Sequence, residues 1–247
     1  MSGWRGLFVA GTDTDIGKTV VTGAIVAALR DEGLKLGVWK PVQSGASIGL
    51  GHTDAERLIA YSGIAERPEA VAPYSFAAPL APYAAAQKSG MSLTLESITE
   101  AGRPLAKRYD ALLVEGAGGV LVPLAEDGLV LDLMAELGLP VLIVARSTLG
   151  TVNHTLLTIS CLRQKGIPIT GVILNDGKRA AADGDPSVSG NAEMIERYGK
   201  VPVLGHFPYI GAFLTTEKLA AAARQNLQLK RISETLLGEF NSRRNKV

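Results

Sequence analysis

The sequence predicts an α/β protein built on a doubly wound, mostly parallel sheet with helices on both faces, the architecture that carries a phosphate loop. Three observations lead there. Apolar runs recur at Leu7–Ala10, Leu36–Trp39, Ala111–Val114, Val141–Ala145, Gly171–Leu174 and Val203–Phe207. Their apolar character is continuous rather than alternating, as strands buried on both faces require. Helical segments lie between them, as parallel crossovers demand. No linker-like break and no repeat of fixed period divides the 247 residues, so residues 1–247 read as one domain.

Composition narrows the function classes. The formal net charge is +1, which leaves no basic footprint for nucleic acid, so no DNA or RNA partner is expected. A single cysteine, Cys161, excludes an intrachain disulfide framework and fits a reducing compartment. It falls in the apolar helical stretch Leu156–Leu162 and reads as a packed thiol. No basic segment followed by an apolar one opens the chain, and no run approaches a membrane span. The expectation is a cytoplasmic protein with no membrane partner.

The first strand runs into Gly11-Thr12-Asp13-Thr14-Asp15-Ile16-Gly17-Lys18-Thr19, and the helix-compatible stretch Val20–Arg30 follows. Strand, glycine-bounded turn, Gly-Lys-Thr and helix in that order make a phosphate loop credible. Backbone N–H groups of such a turn converge on phosphate oxygens, and the helix end adds partial positive charge. Lys18 would lie along the β- and γ-phosphates and the Thr19 hydroxyl would ligate Mg²⁺. The loop between Gly11 and Gly17 is one residue longer than usual and holds two acids, Asp13 and Asp15. Carboxylates there repel a polyphosphate unless they face a cation, the nucleobase side or a cationic substrate.

Ligands of such sheets bind beyond the carboxyl ends of the strands, so the residues after each run matter most. After the second run comes Lys40-Pro41-Val42-Gln43-Ser44-Gly45, whose lysine either projects into the loop's site or stands in solvent. Asp54, after His52-Thr53, opens the helical stretch Ala55–Tyr61, and its position also suits a plain N-cap or first-turn acid. Glu115 ends the third run before Gly116-Ala117-Gly118-Gly119, either as a Mg²⁺ partner or as a cap of the turn. Thr151-Val152-Asn153-His154 follows Gly150 and starts a helix able to receive an anion. Asn175-Asp176, after the fifth run, offers an amide suited to an adenine edge.

The remainder carries less chemistry. Lys178–Gly190 reads as a mobile surface loop, and Glu217–Phe240 as amphipathic helix packing on the outside of the sheet, with a charged tail, Arg243-Arg244-Asn245-Lys246. The histidines, His52, His154 and His206, have no metal-site spacing, and no serine-nucleophile elbow occurs.

Taken together, the segments at 11–19, 40–45 and 114–119 resemble the dethiobiotin synthetase family, a phosphate-loop NTPase group. Pro79-Leu80-Ala81-Pro82, Leu149–His154 and Asn175-Asp176 add weaker support. The resemblance implies an ATP-dependent ligase of biotin synthesis. It would join CO₂ (or bicarbonate) to 7,8-diaminononanoate and close the ring to dethiobiotin, releasing ADP and phosphate. It also implies roles. Lys18 and Lys40 would be catalytic; Thr14, Asp15, Ile16, Gly17, Lys18, Thr19, Asp54, Glu115, Asn175, Asp176 and Pro208 would bind nucleotide. Thr19, Asp54 and Glu115 would hold Mg²⁺. Thr12, Lys40, Ser44 and Gly118 would bind the diamine, with Gly150, Thr151, Val152 and Asn153 reaching it across a homodimer. Family members often carry Glu where this chain has Asp15, which shortens the reach toward substrate. The reading from another class is a dimeric switch ATPase of the partition or septum-positioning kind. Those proteins carry a second lysine early in the loop, and Thr12–Ile16 contains none.

Overall fold

Side-chain alternation within the first strand sets the layering. In β1 (Gly6–Gly11), Leu7 and Val9 pack into one hydrophobic core and Phe8 and Ala10 into another, all four buried. A strand that feeds two cores must be sandwiched between two helical layers. The computed structural model describes residues 3–177 and 185–238.

The chain runs β1, α1 (Lys18–Asp31), β2 (Leu36–Trp39), β3 (Val42–Ser44), α2 (Asp54–Ser62), α3 (Pro68–Val71), β4 (Tyr74–Phe76), α4 (Pro82–Lys88) and α5 (Leu95–Arg108). It continues through β5 (Ala111–Gly119), β6 (Pro123–Ala125), β7 (Gly128–Leu129), α6 (Val130–Leu137), β8 (Val141–Arg146), α7 (Thr151–Gln164) and β9 (Ile169–Asn175). The described part ends with α8 (Val188–Gly199), β10 (Val203–Phe207), α9 (Thr216–Asn226) and α10 (Leu229–Leu236). The main sheet has the order β10-β9-β8-β1-β5-β2, with every pairing parallel. All six expected strands are in it. β1 lies between β5 and β8, so the chain leaves in opposite directions on either side of it, and the phosphate loop sits at that reversal.

Helix α1 presents Val21, Ile25 and Leu29 to the core that also holds Leu58 of α2, Leu219 of α9 and Ile232 of α10. The opposite core takes Ile98 of α5, Met134 of α6, Ile159 of α7 and Ile195 of α8. Two small pairs flank the sheet, β3 with β4 in parallel and β6 with β7 antiparallel.

Three expectations change. The third strand does not stop at Val114 but continues to Gly119, because β1 stays beside it: Val9 pairs with Glu115 and, after a register shift, Gly11 with Gly119. Glycine allows this, since a Cβ at Gly116 would stand 2.9 Å from the Phe8 ring. Within the described residues, which end at Gly238, the expected helix Glu217–Phe240 is two helices. Leu227 leaves helical geometry to bridge Gly205, and the Gln228 N–H donates to the Leu204 carbonyl at 2.8 Å. The edge of β10 thus captures the chain between the two helices, and only a glycine at 205 permits it, its Cβ position being 2.1 Å from the Asn226 carbonyl oxygen. Of the expected loop Lys178–Gly190, residues 178–184 lie outside the described residues, and Val188–Gly190 begin α8. The tail Arg243–Lys246 also lies outside them.

Candidate nucleotide and active site

The loop leaving β1 ends at Gly17, the N-cap of α1, whose left-handed φ of 91° favours glycine. No side chain caps α1 and no acid occupies its first turn, so the backbone N–H groups there keep their capacity for an anion. Lys18 donates from Nζ to the Asp13 carbonyl at 2.8 Å, folding its ammonium over the loop. Burial, and after it the Lys40 ammonium, push Lys18 down from 10.5 to about 8.

The two loop acids separate in the structure. Asp13 turns outward: one carboxylate oxygen accepts the Thr14 N–H at 2.8 Å and the other an Arg146 Nη2 hydrogen at 2.7 Å. Asp15 has a left-handed φ of 55° and lines the cavity. The extra residue of the loop is therefore accommodated by a sideways strut to β8 plus one backbone reversal.

Lys40, Asp54 and Glu115 come from three separate segments and meet beside the loop. Lys40 is 3% exposed and Glu115 fully buried. The Lys40 ammonium lies 2.7 Å from Glu115 Oε1 and 2.8 Å from Asp54 Oδ2, and donates to the Gly116 carbonyl at 3.2 Å. The Thr19 hydroxyl donates to the same Glu115 Oε1 at 2.9 Å. Burial works to lower the Lys40 pKa, but Glu115 and Asp54 outweigh it, and the ammonium form is held well above its ordinary range. Burial likewise works to raise Asp54, and the Lys40 charge and hydrogen bond reverse it, leaving the carboxyl below its usual value. Lys40 is thus an internal cation, and the exposed alternative is excluded.

Asp54 is a first-turn acid of α2 and not its N-cap. Thr53 takes that place, accepting the Glu56 N–H while the Glu56 carboxylate accepts the Thr53 N–H, a capping box. With capping assigned to its neighbours, the Asp54 carboxylate is left for Lys40. Gln43, buried on β3, fixes the height of this helix start: its Oε1 accepts the Ala55 N–H at 2.9 Å and its Nε2 donates to Ser75 Oγ at 2.9 Å.

These groups line one cavity of about 690 Å³. Among the expected residues, Thr14, Asp15, Gly17, Lys18, Thr19, Lys40, Ser44, Asp54, Glu115 and Gly118 form its wall. Thr12 and Ile16 belong to the loop but not to that wall, and the Thr12 hydroxyl is buried without a partner. Ser44 donates its hydroxyl to the Leu80 carbonyl at 2.7 Å, which ties β3 to the Pro79–Pro82 rim.

A second group lies on the other flank of the loop. Asn175 is buried and donates from Nδ2 to the Ile16 carbonyl at 2.9 Å, so part of the amide expected to read a base braces the loop. Asp176 Oδ1 accepts the Ser147 hydroxyl at 2.5 Å and lies 2.6 Å from His206 Nε2. Pro208 follows β10 directly, next to this group. The start of α7 stands apart from the cavity wall. Gly150 is its left-handed N-cap with no side-chain cap and no acid in the first turn, and Leu149 beside it is 78% exposed.

Several residues here escaped the sequence reading. Gln43 stood within a quoted motif without a role, Arg146 and His206 lay on strands, and Arg57 was hidden in α2. The available signal was position: Arg146 and His206 sit at the carboxyl ends of their strands and Gln43 on the short strand after β2, whereas Arg57 lies one helical turn after Asp54. Among the described residues no cluster of three or more His, Cys, Asp or Glu suits a metal, so any cation here would rest on two carboxylates and a hydroxyl.

Comparison with known proteins agrees with this geometry. A family model described as an AAA domain matches residues 5–215. An ATP-dependent dethiobiotin synthetase BioD of Bacillus cereus (strain B4264) is 42% identical over 236 residues, covering 96% of each chain. One from Anaeromyxobacter dehalogenans (strain 2CP-C) is 53% identical over 193 residues, 78% of this chain and 85% of that one. Among solved structures, a ParA family ATPase from Chlorobium tepidum TLS superposes with a TM-score of 0.52 at 14% identity, covering 95% of this chain and 98% of that one. The MinC:MinD cell division complex of Aquifex aeolicus gives 0.52 at 15% identity, with 89% and 93% covered. The last two share the fold alone, whereas the identity to the two synthetases extends over 96% and 78% of this chain: the chain belongs to the ATP-dependent dethiobiotin synthetase family.

Proposed function

We propose that this protein carboxylates 7,8-diaminononanoate and closes the ureido ring of dethiobiotin at the expense of ATP. The convergence of Lys40, Asp54 and Glu115 beside the phosphate loop carries the reading, in a chain whose relatives bear that name. An amine nitrogen attacks CO₂ and loses a proton, giving a carbamate. The carbamate oxygen attacks the γ-phosphorus, ADP leaves, and a mixed anhydride forms. The second amine attacks the carbonyl carbon and gives up a proton, the bond to the phosphate oxygen breaks, and phosphate departs with the electron pair and can take that proton as the ring closes.

A carbamate is already an anion, so the protein needs chiefly to hold two anions in line and neutralise charge between them. Lys18 and Lys40 serve that purpose, with the uncapped N–H groups of α1 cradling phosphate oxygens. Thr19, Asp54 and Glu115 would hold Mg²⁺. They are hard oxygen donors, the buried Glu115 Oε2 has no hydrogen-bond partner among the described residues, and the Lys40 ammonium between the two carboxylates marks a place suited to cationic charge. Bound there, the ion supplies neutralisation of the triphosphate. Ser44, Thr12 and Gly118 would position the diamine, and Asn175, Asp176 and Pro208 the base. The far carboxylate of the diamine would reach Gly150–Asn153 of a second copy, a role supported by the uncapped start of α7 beside exposed Leu149.

With diaminononanoate, bicarbonate, Mg²⁺ and ATP, mass analysis should find dethiobiotin, with phosphate released in equal amount. Steady ATP turnover without ring product, independent of the diamine, would instead mark a switch ATPase.

A further inference from the structure

Among the described residues, Arg57 is the one cavity-lining cation that neither the sequence motifs nor the Lys40 cluster account for. It lies on α2, three residues after Asp54 and four before Tyr61, spacings that place all three on one face of the helix. The outer two show where that face looks. Asp54 reaches Lys40, and Tyr61 packs over Gly23 of α1, where an added Cβ would stand 2.4 Å from the Tyr61 Cβ. Arg57 therefore faces the first turn of α1, and it lines the cavity together with Lys18, Thr19 and Val20.

Its guanidinium makes no hydrogen bond or ion pair among the described residues and is exposed at the cavity mouth. The charges of the wall give it a reason to be there. Asp15, Asp54 and Glu115 face the cavity, and only with Arg57 do the cations Lys18 and Lys40 match them in number. Before any Mg²⁺ joins it, the wall without Arg57 would present net negative charge to a ligand that is itself a polyanion, a repulsion made worse by the acid that the lengthened loop brings in. A planar guanidinium with several donors suits phosphate oxygens better than an ammonium at the same place.

We propose that Arg57 is an additional nucleotide-binding residue that closes on the triphosphate tail from the α2 side. The inference rests on the reading of this cavity as a nucleotide site, and it holds whether or not the diamine is the second substrate. Its test is calorimetric titration of the intact protein with ATP and Mg²⁺, and separately with inorganic triphosphate, in the parent, Arg57→Ala and Arg57→Lys. Arg57→Ala should weaken both ligands about tenfold, a typical loss for one charge-assisted contact. Arg57→Lys should restore part of the loss, and the salt dependence of binding should become shallower in Arg57→Ala. Alanine suits an exposed helix position, so the fold is retained. Unchanged affinity for both ligands would overturn the proposal. So would a loss confined to 7,8-diaminononanoate, which would give Arg57 to the substrate's carboxylate. A parent that makes no dethiobiotin, with ATP binding still tenfold weaker in Arg57→Ala, would remove the function proposed above and leave Arg57 in place.

Discussion

The ammonium of Lys40 lies 2.7 Å from Oε1 of Glu115, and water reaches neither side chain to any extent that matters. An ion pair this deep cannot be judged as a surface contact. Its two halves are held by the cost of leaving either one uncompensated.

Lys40→Ala should therefore act twice. Stability should fall by about 3–5 kcal/mol, because Glu115 would be left charged and buried. Among molecules that remain folded, kcat should fall by about 10²-fold or more while nucleotide affinity changes little. The double variant Lys40→Met with Glu115→Gln should regain stability in thermal unfolding without regaining turnover. Full turnover in Lys40→Ala would remove this residue from the mechanism.

Glu115→Gln keeps the shape of the site and removes one of two carboxylates proposed for Mg²⁺. The Mg²⁺ concentration needed for half-maximal activity should rise markedly, while ATP binding in excess chelator stays close to that of the parent. An unaltered metal dependence would cost Glu115 its place as a ligand.

Glu56 anchors the entry to α2. Its carboxylate accepts the N–H groups of Gly49, Gly51 and Thr53 and the Thr53 hydroxyl. These bonds, the Thr53 N–H foremost, lower its pKa from 4.5 to about 2. A depressed acid stabilises the fold above the unfolded value and loses that contribution as pH falls through the folded one. The contribution should thus be complete above pH 4.5 and fade toward about 2. In acid unfolding followed by circular dichroism, Glu56→Gln should flatten this limb relative to the parent; superimposable curves would refute the assignment.

Gly17→Ala tests the loop against a built-in control. Gly17 and Gly33 share almost the same backbone angle, 91° and 93°. A Cβ at Gly17 would stand 2.2 Å from Asn175 Nδ2, whereas at Gly33 it meets nothing within 4 Å. Gly33→Ala should cost only the left-handed backbone term, about 1–2 kcal/mol. Gly17→Ala should cost more and should also abolish nucleotide binding, read by fluorescence of a labelled ATP analogue. Equal stability losses in the two variants would show that Asn175 gives way.

What could be read before any coordinates was what lies close along the chain. A buried parallel strand writes its apolar run locally, and a phosphate loop writes its glycines, lysine and threonine within one turn, so the six strands, the loop and the start of α1 were all legible. At Asp54 only the N-cap option was local, and it fell once Thr53 and Glu56 were seen to share the cap.

Orientation was not legible, because it depends on partners far away in sequence. Lys40 and Glu115 are 75 residues apart, and Asn175 braces Ile16 across 159. Nothing near Asp13 announces that Arg146 will draw it outward while Asp15 turns to the cavity. Nor does the helical pattern after Glu217 reveal that the edge of β10 will claim Leu227. The sequence by itself determined the six strands of the main sheet and that a phosphate-binding turn lies among them, since backbone preference and apolar period act over a few residues. The tertiary structure alone decided which charges face each other, since that follows from how the parallel sheet brings distant strand ends together at one edge.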